Sequence, residues 1–300
     1  MMKKQSQAYL FALSAILFWS TMSSAFKITL RFIDYTLLLL YASLFSLFIL
    51  FTILVLQKKI NLLKDLKLKD FMSSAIMGFL NPFLYYFILF KAYTLLRAQE
   101  AGTLNYIWPI VLVLFSVPLL KQKIGYKSII AIVISFFGII IISTEGHVLT
   151  LQFSNILGVS LAAGSAIFWA LYWIFNMKDK RDDIIKLFLN FCFGFIYILV
   201  TCLIIGRFQF PTQNALVGSI YIGFFEMGIT YFLWLKALSL SINTAKVSNL
   251  VYLSPFLALI FISIIVGEKI LASTIVGLFF IVGGILMQKY IDISPNKILK

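Results

Sequence analysis

Apolar residues run through this chain in long unbroken stretches, and polar residues are confined mostly to short gaps between them. The stretches fall near 8–27, 35–56, 71–93, 99–120, 127–144, 154–177, 184–206, 215–238, 245–266 and 271–290. Each is close to the ~20 residues that an α-helix needs to cross the hydrocarbon layer of a bilayer. The pattern predicts an all-α integral membrane protein of ten transmembrane helices. The longest gap is about 14 residues, around Lys58 to Asp70, which leaves no room for a soluble catalytic or receptor domain. Function is therefore expected inside the lipid bilayer.

Composition agrees with this pattern. Hydrophobic residues make up 62% of the 300 and charged residues 12%, against about 45–50% and 25% in ordinary soluble domains. The formal net charge of +14 raises the question of nucleic acid, and its distribution answers it. With ten spans and both termini on the cytoplasmic side, 19 Lys and Arg face inward and 6 (Lys27, Arg31, Lys91, Arg97, Arg207 and Lys269) face outward. That is the asymmetry of the positive-inside rule, and it needs no nucleic-acid partner. Lys3 and Lys4 ahead of an apolar run resemble a signal peptide, but the run exceeds the 7–15 residues of such an h-region, so it is expected to stay as the first span.

An internal repeat organises the ten spans. SAILFW (14–19) faces GSAIFW (164–169), aligning Trp19 with Trp169 at an offset of 150. At an offset of 145, Gly78 matches Gly223, Tyr86 matches Tyr231 and Lys91 matches Lys236. One residue later in register, YIWP (106–109) matches YLSP (252–255), Lys123 matches Lys269 and Gly138 matches Gly284. Two five-helix units are expected, 1–146 and 147–300. Five is odd, so the second unit enters the membrane from the opposite side, as in the inverted repeats of many secondary transporters, whose substrate site lies near the midplane between the halves.

Polar residues at membrane depth then become candidates. A charge there costs about 2.5–3.5 kcal/mol on insertion scales, and Glu226 sits at the middle of its span with no charge within helical reach. Its counterpart Asn81 is expected to face the same substrate space, and Pro82 after it to kink or gate the third span. Glu226 is expected to bind a cationic or amino group of a substrate or to carry a coupling proton; a buried, hydrogen-bonded structural acid is the competing reading. Pro109 and Pro255 occupy matching places in the fourth and ninth spans and are expected to kink or gate them. Around them stand Asn105, Tyr106, Trp108, Asn249 and Tyr252. With Trp19, Trp169, Tyr86 and Tyr231 these residues are expected to line a polar cavity with aromatic walls, able to stack on an aromatic side chain or hold an amine. The glycine pairs Gly138 with Gly284 and Gly277 with Gly283, together with Gly158 and Gly164, are expected at close helix contacts.

Other chemistry finds little support. His147 is the only histidine and has no metal-spaced cluster, and Cys192 and Cys202, ten residues apart on one span, are too distant for a disulfide. There is no phosphate-binding loop of the Walker kind, no reason to expect a cofactor, and no titratable pair of the sort an intramembrane enzyme would need.

WSTM (19–22), AIFWALYWIFNMK (166–178), YLSPFLALIFISIIVGEKI (252–270) and the paired glycine-rich final helices resemble the drug/metabolite transporter superfamily, in particular its ten-helix EamA-type exporters. The resemblance covers nearly the whole chain. QEAGTLNYIWPIVLVLF (99–115) is locally similar to the fourth helix of bacterial aromatic amino acid exporters. What the resemblance implies is export of small metabolites, amino acids first, across the bacterial inner membrane, with gradients as the driving force. A monomer would hold both halves. An uptake carrier or exchanger for other metabolites or organic cations is the alternative, and a lipid-handling protein or intramembrane enzyme the alternative of another class.

Overall fold

A computed structural model describes residues 4–120, 126–150, 153–206, 208–241, 247 and 250–293. Candidate residue Asn249 lies outside these, as do Lys3, Lys121, Lys123, Arg207, Lys246, Lys297 and Lys300. Among the described residues the chain is all-α. Seven helices are long and apolar enough to span a membrane: α1 Lys4–Thr29, α2 Tyr35–Leu56, α3 Leu68–Leu95, α4 Ala98–Leu119, then α6 Ile156–Asn176, α7 Asp183–Ile205 and α8 Gln213–Leu240. Three apolar helices are shorter: Ile129–Ser143 within α5, Leu250–Val266 as α9, and Ala272–Met287 within α10. The last is the apolar part of a helix that runs Ala272–Ile293.

Local chemistry sets the helix ends. The side chains of Asp34, Asn155, Asp182 and Thr212 accept hydrogen bonds from the first turns of α2, α6, α7 and α8, satisfying donors that the helix itself leaves unpaired. Gly206 closes α7 in the left-handed conformation, φ +67°, where glycine avoids the penalty a Cβ would carry. The start of α4 is capped twice. Glu100 accepts from Arg97 N at 3.1 Å, and Glu268, from the loop between α9 and α10, accepts from Ala98 N at 2.8 Å.

Polarity is inverted relative to a soluble protein. Phe48, Ile264 and Phe279 are exposed, whereas Asn81, Gln99, Asn190 and Glu226 are buried. Outward apolar side chains suit lipid, and the polar side chains turn inward, away from it.

Helix contacts come in matched pairs. α1 packs on α8 and α9, while α6 packs on α3 and α4; α2 meets α8 as α7 meets α3; α2 meets α7, and α5 meets α10. Exchanging the first five helices for the last five maps this set onto itself. Gly78 and Gly223 show the match in detail. A Cβ on Gly78 would stand 2.3 Å from Asn190 O on α7, and one on Gly223 would stand 2.4 Å from Ala42 O on α2. Gly138, Gly277 and Gly284 similarly let α5 and α10 touch backbone to backbone, and Gly158 packs on Leu96. Gly164 and Gly283 depart from expectation, for nothing lies within 4 Å of a Cβ at either position.

The prolines also differ in kind from simple kinks. α4 is interrupted at Tyr106 and Ile107, and Pro109 stands in the first turn of the restarted helix Trp108–Leu120. Pro255 likewise begins Ser254–Phe261, after a 3-10 turn at Leu250–Leu253. A first helical turn needs no N–H from proline, so both helices are broken ahead of these residues rather than bent through them.

Candidate functional site

α3 and α8 lose regular α winding at matching depths, in π-helical segments Phe79–Leu84 and Ile222–Glu226. In α3 the backbone of Asn81 is extended, φ −153° and ψ 121°, and Pro82 brings no N–H to the ladder. Such bulges turn side chains inward that regular winding would place elsewhere. Here they bring four polar groups together. Tyr86 donates to Glu226 Oε1 at 2.9 Å, Asn81 Nδ2 donates to the Tyr231 hydroxyl at 3.2 Å, and the two tyrosine hydroxyls lie 3.5 Å apart. Glu226 Oε2 is buried without a hydrogen-bond partner.

Glu226 borders a central cavity of ≈390 Å³ between α1, α3, α4, α6, α8 and α9. All five tryptophans of the chain line it: Trp19, Trp108, Trp169, Trp173 and Trp234. Four of these rings belong to two packed aromatic groups. Trp19 meets Trp234 with centroids 5.4 Å apart, Trp169 meets Tyr85 at 4.6 Å and Trp173 at 5.7 Å, and Trp173 lies nearly parallel to Tyr231 at 6.4 Å.

Of the residues singled out from sequence, Glu226, Asn105, Tyr106, Trp108, Trp19, Trp169, Tyr252 and Pro255 border this space. Asn81, Tyr86 and Tyr231 stand behind Glu226 as its hydrogen-bonded support, and Pro82 and Pro109 do not border the cavity. Asn105 is held on both sides, accepting from Tyr85 at 3.0 Å and donating to Ser165 at 2.8 Å; it fixes α3, α4 and α6 to one another. Tyr106 donates to Val251 O, joining the break in α4 to the start of α9.

Trp234, Ser254, Thr103 and Tyr93 also border the cavity and escaped the sequence reading. One signal for Ser254 was available, since the 146-residue offset pairs it with Trp108. Trp234 has no such signal, since the 145-residue offset pairs it with Leu89. Chemically, the site is an apolar aromatic box with a carboxylate at its floor and hydroxyls on its walls. Among the described residues there is no group of three or more His, Cys, Asp or Glu able to hold a metal.

The model of the EamA-like transporter family matches residues 6–144 and 156–288. An uncharacterized transporter of Clostridium kluyveri is 27% identical over 249 residues, covering 78% of this chain and 78% of that protein. The aromatic amino acid exporter YddG of Ancylobacter novellus is 22% identical over 152 residues, 50% of this chain and 53% of that one. A crystal structure superposes with a TM-score of 0.66 at 20% identity, covering 95% of this chain and 97% of its own, a likeness of fold.

Proposed function

The chain belongs to the EamA-like transporter family, a membrane transporter rather than an enzyme, and from that premise we propose that it exports aromatic amino acids by alternating access. In this reading the ten helices form two inverted repeats, 1–146 and 147–300, in a bacterial inner membrane with both termini in the cytoplasm. The paired helix contacts and the family's two matched stretches support the repeats, and the excess of Lys and Arg on one side supports the orientation. Gradients supply the energy, and one chain carries a complete pathway.

A single observation carries the substrate class: the chain's five tryptophans and the Glu226 side chain line one cavity. Its ≈390 Å³ is at the small end of ligand pockets, about 300–1,000 Å³. An aromatic ring stacks among the indoles, while the α-ammonium meets the Glu226 carboxylate as a charge-assisted hydrogen bond. Thr103 and Ser254 offer hydroxyls to the carboxylate. Similarity to an aromatic amino acid exporter points the same way.

A carboxylate in an aromatic box also suits organic cations, which is the second reading. Counterflow in proteoliposomes separates them. Preloaded phenylalanine, tyrosine or tryptophan is expected to drive uptake of labelled phenylalanine, and aliphatic amino acids or quaternary ammonium ions are not. Exchange driven by the cations, or by no amino acid, would overturn the assignment.

A further inference from the structure

Behind the cavity lies a second polar group that substrate binding does not use. The hydroxyl of Tyr172 on α6 faces the side chains of Asn81 on α3, Asn176 on α6 and Asn190 on α7. Asn81, Tyr172 and Asn190 are each completely buried. Yet the Tyr172 hydroxyl, Asn81 Oδ1 and both amide atoms of Asn190 have no hydrogen-bond partner among the described residues. One such atom costs about 1–3 kcal/mol, so four on three neighbouring buried side chains call for a further partner. The set includes acceptors and a donor. A cation would satisfy only the acceptors, whereas water satisfies both.

We propose that Asn81, Tyr172 and Asn190 bind water, and that this water carries protons between Glu226 and the loop joining α6 to α7. The inference rests on the transport reading, in which Glu226 faces the substrate. On the Glu226 side, hydroxyls lead toward the water. Glu226 Oε1 accepts from Tyr86, whose hydroxyl is 3.5 Å from that of Tyr231, and Tyr231 accepts from Asn81. Beyond Tyr172, Asn176 is one turn further along α6. Asp179 follows at the helix end, where Arg181 Nε donates to it at 3.0 Å and Lys186 Nζ donates to its carbonyl at 3.4 Å. A proton moves by hydroxyls and water each giving one O–H hydrogen as they accept another, so no bond other than O–H changes and nothing is oxidised. The amides orient the file without relaying protons. The titratable groups facing Glu226 are Tyr85, Tyr86 and Tyr93 from α3 and Tyr231 from α8. Among the described residues, no ion pair involves Glu226.

The test uses the full chain in proteoliposomes with an internal pH dye, driven by a phenylalanine gradient, with counterflow measured in parallel. Wild-type protein is expected to move protons with net phenylalanine flux. Tyr172→Phe and Asn190→Leu are expected to keep counterflow while slowing proton movement by about tenfold or more, as loss of a proton-relay member does. Wild-type net flux without proton movement, or variants with wild-type proton flux, would overturn the inference. If the wild type shows no counterflow, the transport reading fails instead, and radiolytic hydroxyl labelling then decides the water site alone. Tyr172 is expected to be labelled faster, after correction for intrinsic reactivity, than Phe191, which is equally buried; equal labelling contradicts the site.

Discussion

The hydroxyls of Tyr86 and Tyr231 meet 3.5 Å apart at the centre of the protein, although 145 residues separate them. Each tyrosine engages the polar residue of the other helix, α8 for Tyr86 and α3 for Tyr231: Tyr86 donates to Glu226, and Asn81 donates to Tyr231. Because Asn81 and Glu226 stand in the same relation of 145 residues, the pseudo-symmetry runs through this pair of hydroxyls. Any movement of α3 against α8 must remake these bonds, which ties the carboxylate at the cavity floor to the packing of those two helices.

Removing the hydroxyl tests that coupling. Tyr86→Phe leaves both Glu226 oxygens buried without a partner, a penalty of about 1–3 kcal/mol. A loss of about tenfold in counterflow rate is expected, each 1.36 kcal/mol being a factor of ten, with the protein still folded by size-exclusion chromatography. Wild-type rates in Tyr86→Phe would show that the bond has no part in transport.

The glycine contacts make a stability prediction with an internal control. Gly223→Ala places a methyl 2.4 Å from Ala42 O and must push α2 away from α8, with an overpacking cost of about 1–3 kcal/mol. Gly283→Ala has nothing within 4 Å. Thermal unfolding in detergent is expected to fall clearly for the first and to match wild type for the second. Equal melting of both would remove the close approach of α2 and α8 as a source of stability.

The aromatic wall makes a kinetic prediction. Trp234→Leu deletes the ring facing Trp19 across 5.4 Å and the stacking worth about 0.5–1.5 kcal/mol. The KM for phenylalanine is expected to rise by up to about tenfold, read from the concentration dependence of transport. An unchanged KM would place the ring of the substrate elsewhere.

At the end of the bundle where α6 meets α7, burial alone would raise the Asp179 carboxyl, but hydrogen bonds from the Arg181 side chain and backbone outweigh it and hold the group below its ordinary 3.8. A depressed carboxyl stabilises the fold above its unfolded pKa, and that contribution disappears as pH falls through the folded value. Asp179→Asn is therefore expected to melt below wild type at pH 7, with the gap narrowing as the medium is acidified below 3.8. A gap independent of pH would contradict the ion pair as its cause.

Much of the polar cluster beside the cavity is legible in the chain because corresponding residues recur at a fixed offset. Matching Tyr86 to Tyr231 and Asn81 to Glu226 requires only a fixed offset, and the four residues do meet. Asn105 shows the limit: its amide reads as free cavity lining, yet Tyr85 and Ser165 occupy it, and a pairing across three helices leaves no trace in spacing. The breaks ahead of Pro109 and Pro255 look like kinks from sequence because proline marks the place of a disruption without saying which side of it unwinds. Gly164 and Gly283 read as packing residues on composition alone, which does not reveal the face a glycine presents.

Because every tryptophan borders the cavity, intrinsic fluorescence reports on that space with no added label. Titrating the purified protein with phenylalanine, which does not emit in the tryptophan window, measures occupancy most directly. A saturable change in wild-type emission that is lost or strongly weakened in Glu226→Gln is the predicted result. A wild-type spectrum indifferent to phenylalanine, or a titration identical in Glu226→Gln, would contradict the assignment of this cavity to aromatic amino acids.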